Sequence, residues 1–280
     1  MCRWMAWLGQ DVLLEELLFK TQHGLIDRSL HSRMGAETTN GDGFGLGWYG
    51  AGDGPGVYHS VAPAWGDANL RELAAHIESP LFLAHVRATS GTSVQETNCH
   101  PFRHGRWLFV HNGVIGDFAR LRRDLVMAVD PDLFDGIMGS TDSEVLFHLA
   151  LTHGLEHDPI GALETALGIV EATARRRGLE PAVQASIGVS DGTRLWAVRY
   201  ASQGTPRTLF ASADVTTLHR LHPDNARLHL MREGDRLVVS EPFADLDGVW
   251  HDIPPSSAVV IQHGGELEHR EFRPRVTEAV

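Results

Sequence analysis

The chain has 280 residues, 42% of them apolar, enough to bury a substantial core in one large domain or two small ones. A formal charge of −12 argues against a general binder of nucleic acid or anionic membrane, and no apolar run has the length of a membrane span. Only two cysteines occur, Cys2 and Cys99, so a disulfide framework is not what holds a chain of this size together.

The opening MCRWMAWLGQD is a short apolar stretch cut by Gly9 and Asp11. It lacks the charged start and small-residue cleavage site of a signal peptide, and the expectation is a cytoplasmic protein with no leader beyond Met1. The small side chain after Met1 favours removal of the methionine, which would put a thiol and a free α-amine on Cys2. These titrate near ~8.5 and ~7.7–8.0. An amine beside a nucleophile can take its proton and later hand it to a leaving group. Taken alone, Met-Cys is ordinary, because any short residue can follow Met1.

Residues 11–20 (DVLLEELLFK) read as a helix opening on Asp11. Strands are expected at 44–50 and 56–61, joined by a turn at Asp53-Gly54-Pro55-Gly56. A helix over 67–78 opens on Asp67 and carries Leu70, Leu73, Ala74 and Ile77 at helical spacing. Strands at 81–87 and 107–113 follow. Ser140 or Thr141 then caps a helix through STDSEVLFHLAL, with Ser140-Thr141-Asp142-Ser143-Glu144 approximating a capping box. A helix over 160–176 ends at Arg175-Arg176-Arg177 and Gly178, and a helix C-terminus accounts for that basic cluster. Further strands are expected at 184–190, 194–200, 207–212, 236–240 and 258–262. Strands thus come in runs with helices grouped between them, which points to an α+β fold of antiparallel-rich sheets covered by helices. With no repeat, low-complexity tract or linker, residues 2–280 read as one domain.

Four segments place polar groups at the ends of apolar runs. Asn40-Gly41-Asp42-Gly43, leading into a glycine-rich strand, suggests backbone brought close to something, although a bulged hairpin explains it equally. Arg87 leaves the strand LFLAHVR just before Ala88-Thr89-Ser90-Gly91-Thr92, a setting suited to holding a carboxylate; a surface ion pair is the plain alternative. Asn112 beside Gly113 offers an amide and a backbone N–H that can point at one oxyanion, or else a simple Asn-Gly turn. Asp142, near a helix start, can bind an ammonium group or merely cap the helix. Cys99 lies next to His100, but neighbours in an extended chain point to opposite faces, so Cys99 reads as a small buried residue and His100 as a structural or supporting group. The 17 histidines raise a metal site, yet the pairs His153/His157 and His219/His222 lack a completing Cys or carboxylate, and neither metal nor cofactor is expected.

In the order Cys2, NGDGFG, HVR, NCHPF, HNG, STDSE, the chain resembles the class II (N-terminal nucleophile) glutamine amidotransferases, over roughly its first half. Met1-Cys2-Arg3 with Leu8-Gly9 looks like the stand-alone branch, which includes glutaminase-like proteins and the γ-glutamyl hydrolase of ergothioneine biosynthesis. Beyond residue 180, TLFASADVTTL and REGDRLVV are similar to the strand pairs that close the family's glutaminase domain. The resemblance implies a four-layer αββα sandwich with two mostly antiparallel sheets. It also implies Cys2 as nucleophile with its own α-amine as base, and Asn112 and Gly113 as oxyanion hole. Arg87 and Asp142 would hold the α-carboxylate and α-amino group, and Asn40-Gly41-Asp42 would line the nucleophile. Where the larger synthases carry an aromatic residue after the arginine, this chain has Ala88-Thr89-Ser90, which leaves Ser90 as a guess for completing the carboxylate pocket.

The activity implied is hydrolysis of a γ-glutamyl amide, glutamine or a larger compound, releasing glutamate and ammonia or an amine. Any synthase would be a separate subunit, since 280 residues leave no room for one, and a homodimer stays open. A non-catalytic partner keeping the fold as a binding module, or an N-terminal nucleophile amidase for another acyl group, are the alternatives.

Overall fold

A computed structural model describes residues 2–21, 23–30, 40–89, 92–243 and 246–275, with the backbone alone at Arg28. Strand β1 (Arg3–Leu13) runs into α1 (Leu14–Leu18), and α2 (Leu25–Leu30) follows. The hairpin of β2 (Phe44–Trp48) and β3 (Gly56–Ser60) precedes α3 (Ala68–His76) and β4 (Glu78–Val86). Next come β5 (Phe102–His104), β6 (Trp107–Ile115) and the helices α4 (Phe118–Met127), α5 (Pro131–Phe134), α6 (Asp142–Thr152) and α7 (Pro159–Arg176). The chain continues through β7 (Val183–Ser190), β8 (Arg194–Ala201), β9 (Phe210–Ser212), α8 (Val215–Leu221) and β10 (Arg236–Val239). It closes with β11 (Trp250–Asp252), β12 (Ser257–Gln262) and β13 (Leu267–Glu271).

Among the described residues the strands form two sheets, β11-β9-β10-β1-β4-β2-β3 and β13-β12-β8-β7-β6-β5, with antiparallel pairing throughout. The layering follows from the period of two along each strand. In β1, Trp4, Ala6 and Leu8 point between the sheets, where they meet Leu81, Leu83, Leu108, Val110, Leu195 and Val259. Met5 and Trp7 point the other way, into a cluster with Leu14, Leu18, Leu25, Leu70 and Ala74 from α1, α2 and α3. On the second sheet Phe109, Ile187, Val189 and Val198 pack outward against Leu146, Leu149, Leu163 and Leu167 from α6 and α7. The result is helices, sheet, sheet, helices, the αββα sandwich expected of the family.

The chain start differs from the sequence expectation. Residues 11–13 are strand, and the helix begins only at Leu14. After a register shift beyond Leu8, Val12 and Leu13 still pair with Ser79 and Glu78 of β4, which holds them extended. Because residues 4–8 of β1 are buried on both faces, this central strand has no alternation to read. The helix starts are closer to expectation: Asp67 accepts from Leu70 N at 2.7 Å, and Thr141 from Glu144 N at 3.2 Å. The Glu144 carboxylate does not return to the cap residue. It takes the N–H groups of Met138 and Gly139, both at 2.8 Å, and so fixes the loop before α6.

The glycines of β2 serve as a seat. A Cβ on Gly45 would stand 2.1 Å from the His100 carbonyl oxygen, and one on Gly43, at φ 109°, would stand 2.9 Å from Cys99 Sγ. The segment around residues 99–101, which leads from the first sheet to the second, therefore lies directly on β2. Gly45→Ala should force this segment away and cost about 1–3 kcal/mol, as overpacking does elsewhere. Urea unfolding reads this as a lowered midpoint at unchanged slope, and a wild-type midpoint would contradict the close seating.

Candidate active site

Cys2 sits immediately before β1, the central strand of its seven-stranded sheet, flanked by β10 and β4. Its neighbours leave it little freedom. The Arg3 side chain is buried and faces Glu241 through Nη2 and Nε, both at 2.8 Å. The Trp4 backbone is held by Ser240 from both sides, through Ser240 Oγ at 3.1 Å and Ser240 N at 3.0 Å. The Trp4 indole N–H donates across the sandwich to Ser186 O and Oγ, both at 3.1 Å. The antiparallel register Arg3–Val86 brings Cys2 to the end of β4, where Cys2 Sγ is 3.4 Å from Ala88 O and the Ala88 N–H points at Sγ from 3.5 Å.

Arg87, 3% exposed, is the next residue along this edge. Its guanidinium donates to Asp42 O (3.3 Å), Thr89 Oγ1 (3.3 Å), Thr92 Oγ1 (2.6 Å) and Ser93 O (3.1 Å). All four acceptors are neutral, and among the described residues Arg87 makes no ion pair. Asp42 accepts Thr89 N at 2.8 Å, and its own N–H donates to Arg87 O at 3.1 Å, so the Asn40-Gly41-Asp42 loop is stitched to the arginine's backbone. Asn40 is buried, with its N–H on Ser29 O at 2.7 Å, and Gly41 faces Trp65. Ser90 lies outside the described residues.

On the second sheet, Asn112 and Gly113 belong to β6, opposite Ser186 and Ala185 of β7, rather than to a turn. Asn112 shares a strand face with Leu108 and Val110, which point between the sheets, and among the described residues its amide makes no hydrogen bond. Gly113 is obligatory in this ladder, since a Cβ would stand 2.0 Å from Gln184 O. Asp142 opens α6. Its Oδ2 accepts Ile115 N, and its Oδ1 accepts Ser143 N, each at 2.8 Å. This carboxylate thus ties α6 to β6, and it too makes no ion pair among the described residues. Asn98 links the halves: its amide reaches Ser93 O at 2.9 Å and accepts Ser140 N at 2.8 Å, joining the stretch after Arg87 to the loop before Asp142.

The electrostatics tie these pieces to Cys2. Burial pushes the Cys2 thiol up, the contact with Ala88 and the charge of Arg87 pull it down, and Asp142 pushes it up again. Both charges are therefore close enough to act on the sulfur. Behind them, the His85 and His100 rings lie 4.3 Å apart, tilted by 35°, and His100 meets Phe102 at 4.4 Å, tilted by 53°. Burial pushes His85 down to about 3 and His100 well below the usual imidazole value, so both are neutral. Cys2 and Cys99 are free thiols. No group of three or more potential metal ligands occurs among the described residues. No helix among them is long and apolar enough to cross a membrane. A cavity of about 1540 Å³ lies at the far end of β1, lined by Trp7, Gln10, Leu17, Leu218 and Met231, and none of the site residues above borders it. Sequence reasoning missed the Arg3–Glu241 clamp, the Asn98 bridge and the His111–Ser143 contact, whose partners lie far apart in the chain and carry no local signal.

Two antiparallel sheets layered between helices, with a free cysteine at the head of the central strand, are the architecture of the N-terminal nucleophile type of hydrolase. The chain belongs to the class II glutamine amidotransferases, the family pattern matching residues 19–278. It is 31% identical over 300 residues to the probable glutamine amidotransferase DUG3 of Saccharomyces cerevisiae, across 96% of this chain and 84% of that one. To the γ-glutamyl-hercynylcysteine sulfoxide hydrolase of Mycobacterium tuberculosis it is 29% identical over 270 residues, covering 95% and 94%. The solved structure of a glutamine aminotransferase class-II domain protein from Silicibacter pomeroyi superposes with a TM-score of 0.74 at 34% identity, covering 98% of this chain and 100% of that one.

The two thiols should separate chemically. Iodoacetamide should label Cys2 with a pH midpoint above that of a free cysteine, while Cys99, pushed up to about 11 by burial, stays unlabelled well below that pH. Peptide mass spectrometry reads both, and labelling of the two in parallel would contradict the burial described.

Proposed function

We propose that residues 2–280 act as one glutaminase-like domain that hydrolyses a γ-glutamyl amide through a thioester on Cys2. The observation that carries this reading is the pair of opposite charges without an ion-pair partner beside the thiol: a buried guanidinium among neutral oxygens, and a carboxylate held by the backbone N–H groups of Ile115 and Ser143. A buried charge without a partner is costly, and a free amino-acid head supplies both missing partners, its carboxylate to Arg87 and its ammonium to Asp142. Holding that head at both ends aims the distal amide at Cys2.

The steps then follow from the atoms present. With residue 2 as the N-terminus, its α-amine takes the thiol proton and Sγ attacks the amide carbon. The unengaged Asn112 amide and the Gly113 N–H receive the developing oxyanion. Collapse breaks the C–N bond, the ammonium returns its proton to the leaving nitrogen, and a thioester remains. Water adds to the thioester, losing a proton to the same amine, and the released thiolate recovers that proton as glutamate departs. The name of the mycobacterial relative supports a larger γ-glutamyl compound as one substrate class, alongside glutamine itself.

Incubating the protein, freed of Met1, with glutamine and a panel of γ-glutamyl amides should release glutamate, and a diazo-ketone analogue of glutamine should attach to residue 2. Arg87→Ala should lower kcat/KM by at least ~10²-fold for γ-glutamyl amides and far less for simple acyl amides. Asn112→Ala should lower kcat by ~10²–10³-fold. Failure to detect glutamate from any of the compounds would sink the proposal.

A further inference from the structure

We propose that His111, acting through Ser143, gates Asp142: protonation of this buried imidazole closes the carboxylate to the substrate's α-ammonium group. The inference rests on the γ-glutamyl reading above and adds to it a positioning pair, His111 and Ser143, that touches no substrate.

The argument is a count of protons. His111 Nε2 faces the Gln184 carbonyl oxygen at 3.3 Å, and a carbonyl only accepts, so Nε2 carries a hydrogen. His111 Nδ1 faces Ser143 Oγ at 2.9 Å, and Ser143 Oγ in turn lies 3.2 Å from Asp142 Oδ1. The serine has one hydroxyl proton for these two contacts. When His111 is neutral, Nδ1 is bare and must accept that proton, so Ser143 Oγ and Asp142 Oδ1 face each other without a hydrogen between them. Asp142 then keeps only its two backbone donors, Ile115 N and Ser143 N, and stays open to a further donor. When His111 is charged, Nδ1–H donates to Ser143 Oγ and frees the hydroxyl proton for Asp142 Oδ1. The chain closes, and a cation already answers the carboxylate. Ammonium and imidazolium thus compete for one anion.

The surroundings set which state prevails. Burial pushes His111 down, Asp142 at the head of α6 pulls it up, and Arg207, ahead of β9, pushes it down. His85 on β4 and His100, in the segment before β5, also feel its charge, and both are themselves neutral. His111 therefore titrates below the usual imidazole value and is neutral at neutral pH. The gate is open there and closes as pH falls through the folded value, while the substrate ammonium keeps its charge across the same range.

The test compares two substrates of the full chain with Met1 removed, between about pH 5 and 8. One is the γ-glutamyl amide that gives the fastest glutamate release, and the other is glutaramate, which has the same carboxylate and amide but no α-amino group. KM for the γ-glutamyl amide should rise about tenfold per pH unit below the midpoint, with kcat changing less. KM for glutaramate should stay flat. His111→Gln should flatten the γ-glutamyl profile, Ser143→Ala should weaken its slope, and Ser143→Thr should restore it. A parallel acid rise for both substrates, or a wild-type rise in H111Q, overturns the gate. The substrate comparison decides even where a variant does not fold. Glutamate release with a pH-independent KM overturns the gate alone, whereas no release at any pH overturns the parent reading and the gate with it.

Discussion

Three arginines are buried among the described residues, and two of them face carboxylates: Arg3 with Glu241, and Arg199 with Asp252 at 2.8 Å. Arg87 alone of the three is surrounded by neutral oxygens. The contrast matters because a guanidinium taken out of water without an anion is a standing cost, which a fold tolerates when it can satisfy the donors individually. Asp42 O, Thr89, Thr92 and Ser93 O do this for the N–H groups but leave the charge uncompensated. On the reading proposed, the site is built before the ligand arrives, and its free energy falls most for a ligand carrying an anion. Asp142 repeats the logic with opposite sign at the head of α6.

The sandwich explains how two such charges come to flank one thiol. β1 lies between β10 and β4, so its start is fixed laterally by Ser240 and Ala88 and across the sandwich by the Trp4–Ser186 contact. Ser186 is in turn the register partner of Asn112. One indole therefore relates the strand that follows Cys2 to the strand bearing the unengaged amide. Gly188 contributes by absence, since a Cβ there would come within 2.9 Å of the Trp4 ring. The crossing at residues 99–101 adds a second tie on the same edge, seated on Gly43 and Gly45, with Asn98 reaching over to Ser140.

Much of this was legible where chemistry is local. Asp67 and Thr141 announce helix starts through the side-chain oxygens that cap them, and Arg87 announces itself as a charge leaving an apolar strand. The glycines around Phe44 and Leu46 signalled a close approach, although not that the approaching group is the His100 carbonyl. What failed to show was set by distant partners. The central strand β1 was hidden because Met5 and Trp7 are as buried as Trp4 and Ala6, which erases the period of two. Asn112-Gly113 looked as much like a turn as a strand, and only pairing with β7 decides it. Arg3 and Glu241 are 238 positions apart, and nothing near either residue names the other.

The division of labour within the site also bears on how one architecture accommodates more than one reaction partner. On the reading proposed, Arg87 and Asp142 grip the head of the molecule, and Asn112 and Gly113 address the carbonyl oxygen. None of the four contacts the substituent on the amide nitrogen. The free energy invested in the head is the same whether ammonia or a large amine departs, and it is spent on aiming the carbonyl at Cys2 rather than on reading the leaving group. Discrimination among γ-glutamyl compounds must therefore come from surfaces on the nitrogen side of the thiol. Relatives that differ there can keep the charged pair, the clamp on β1 and the glycine seat unchanged, because those features answer to the part of the substrate that does not vary.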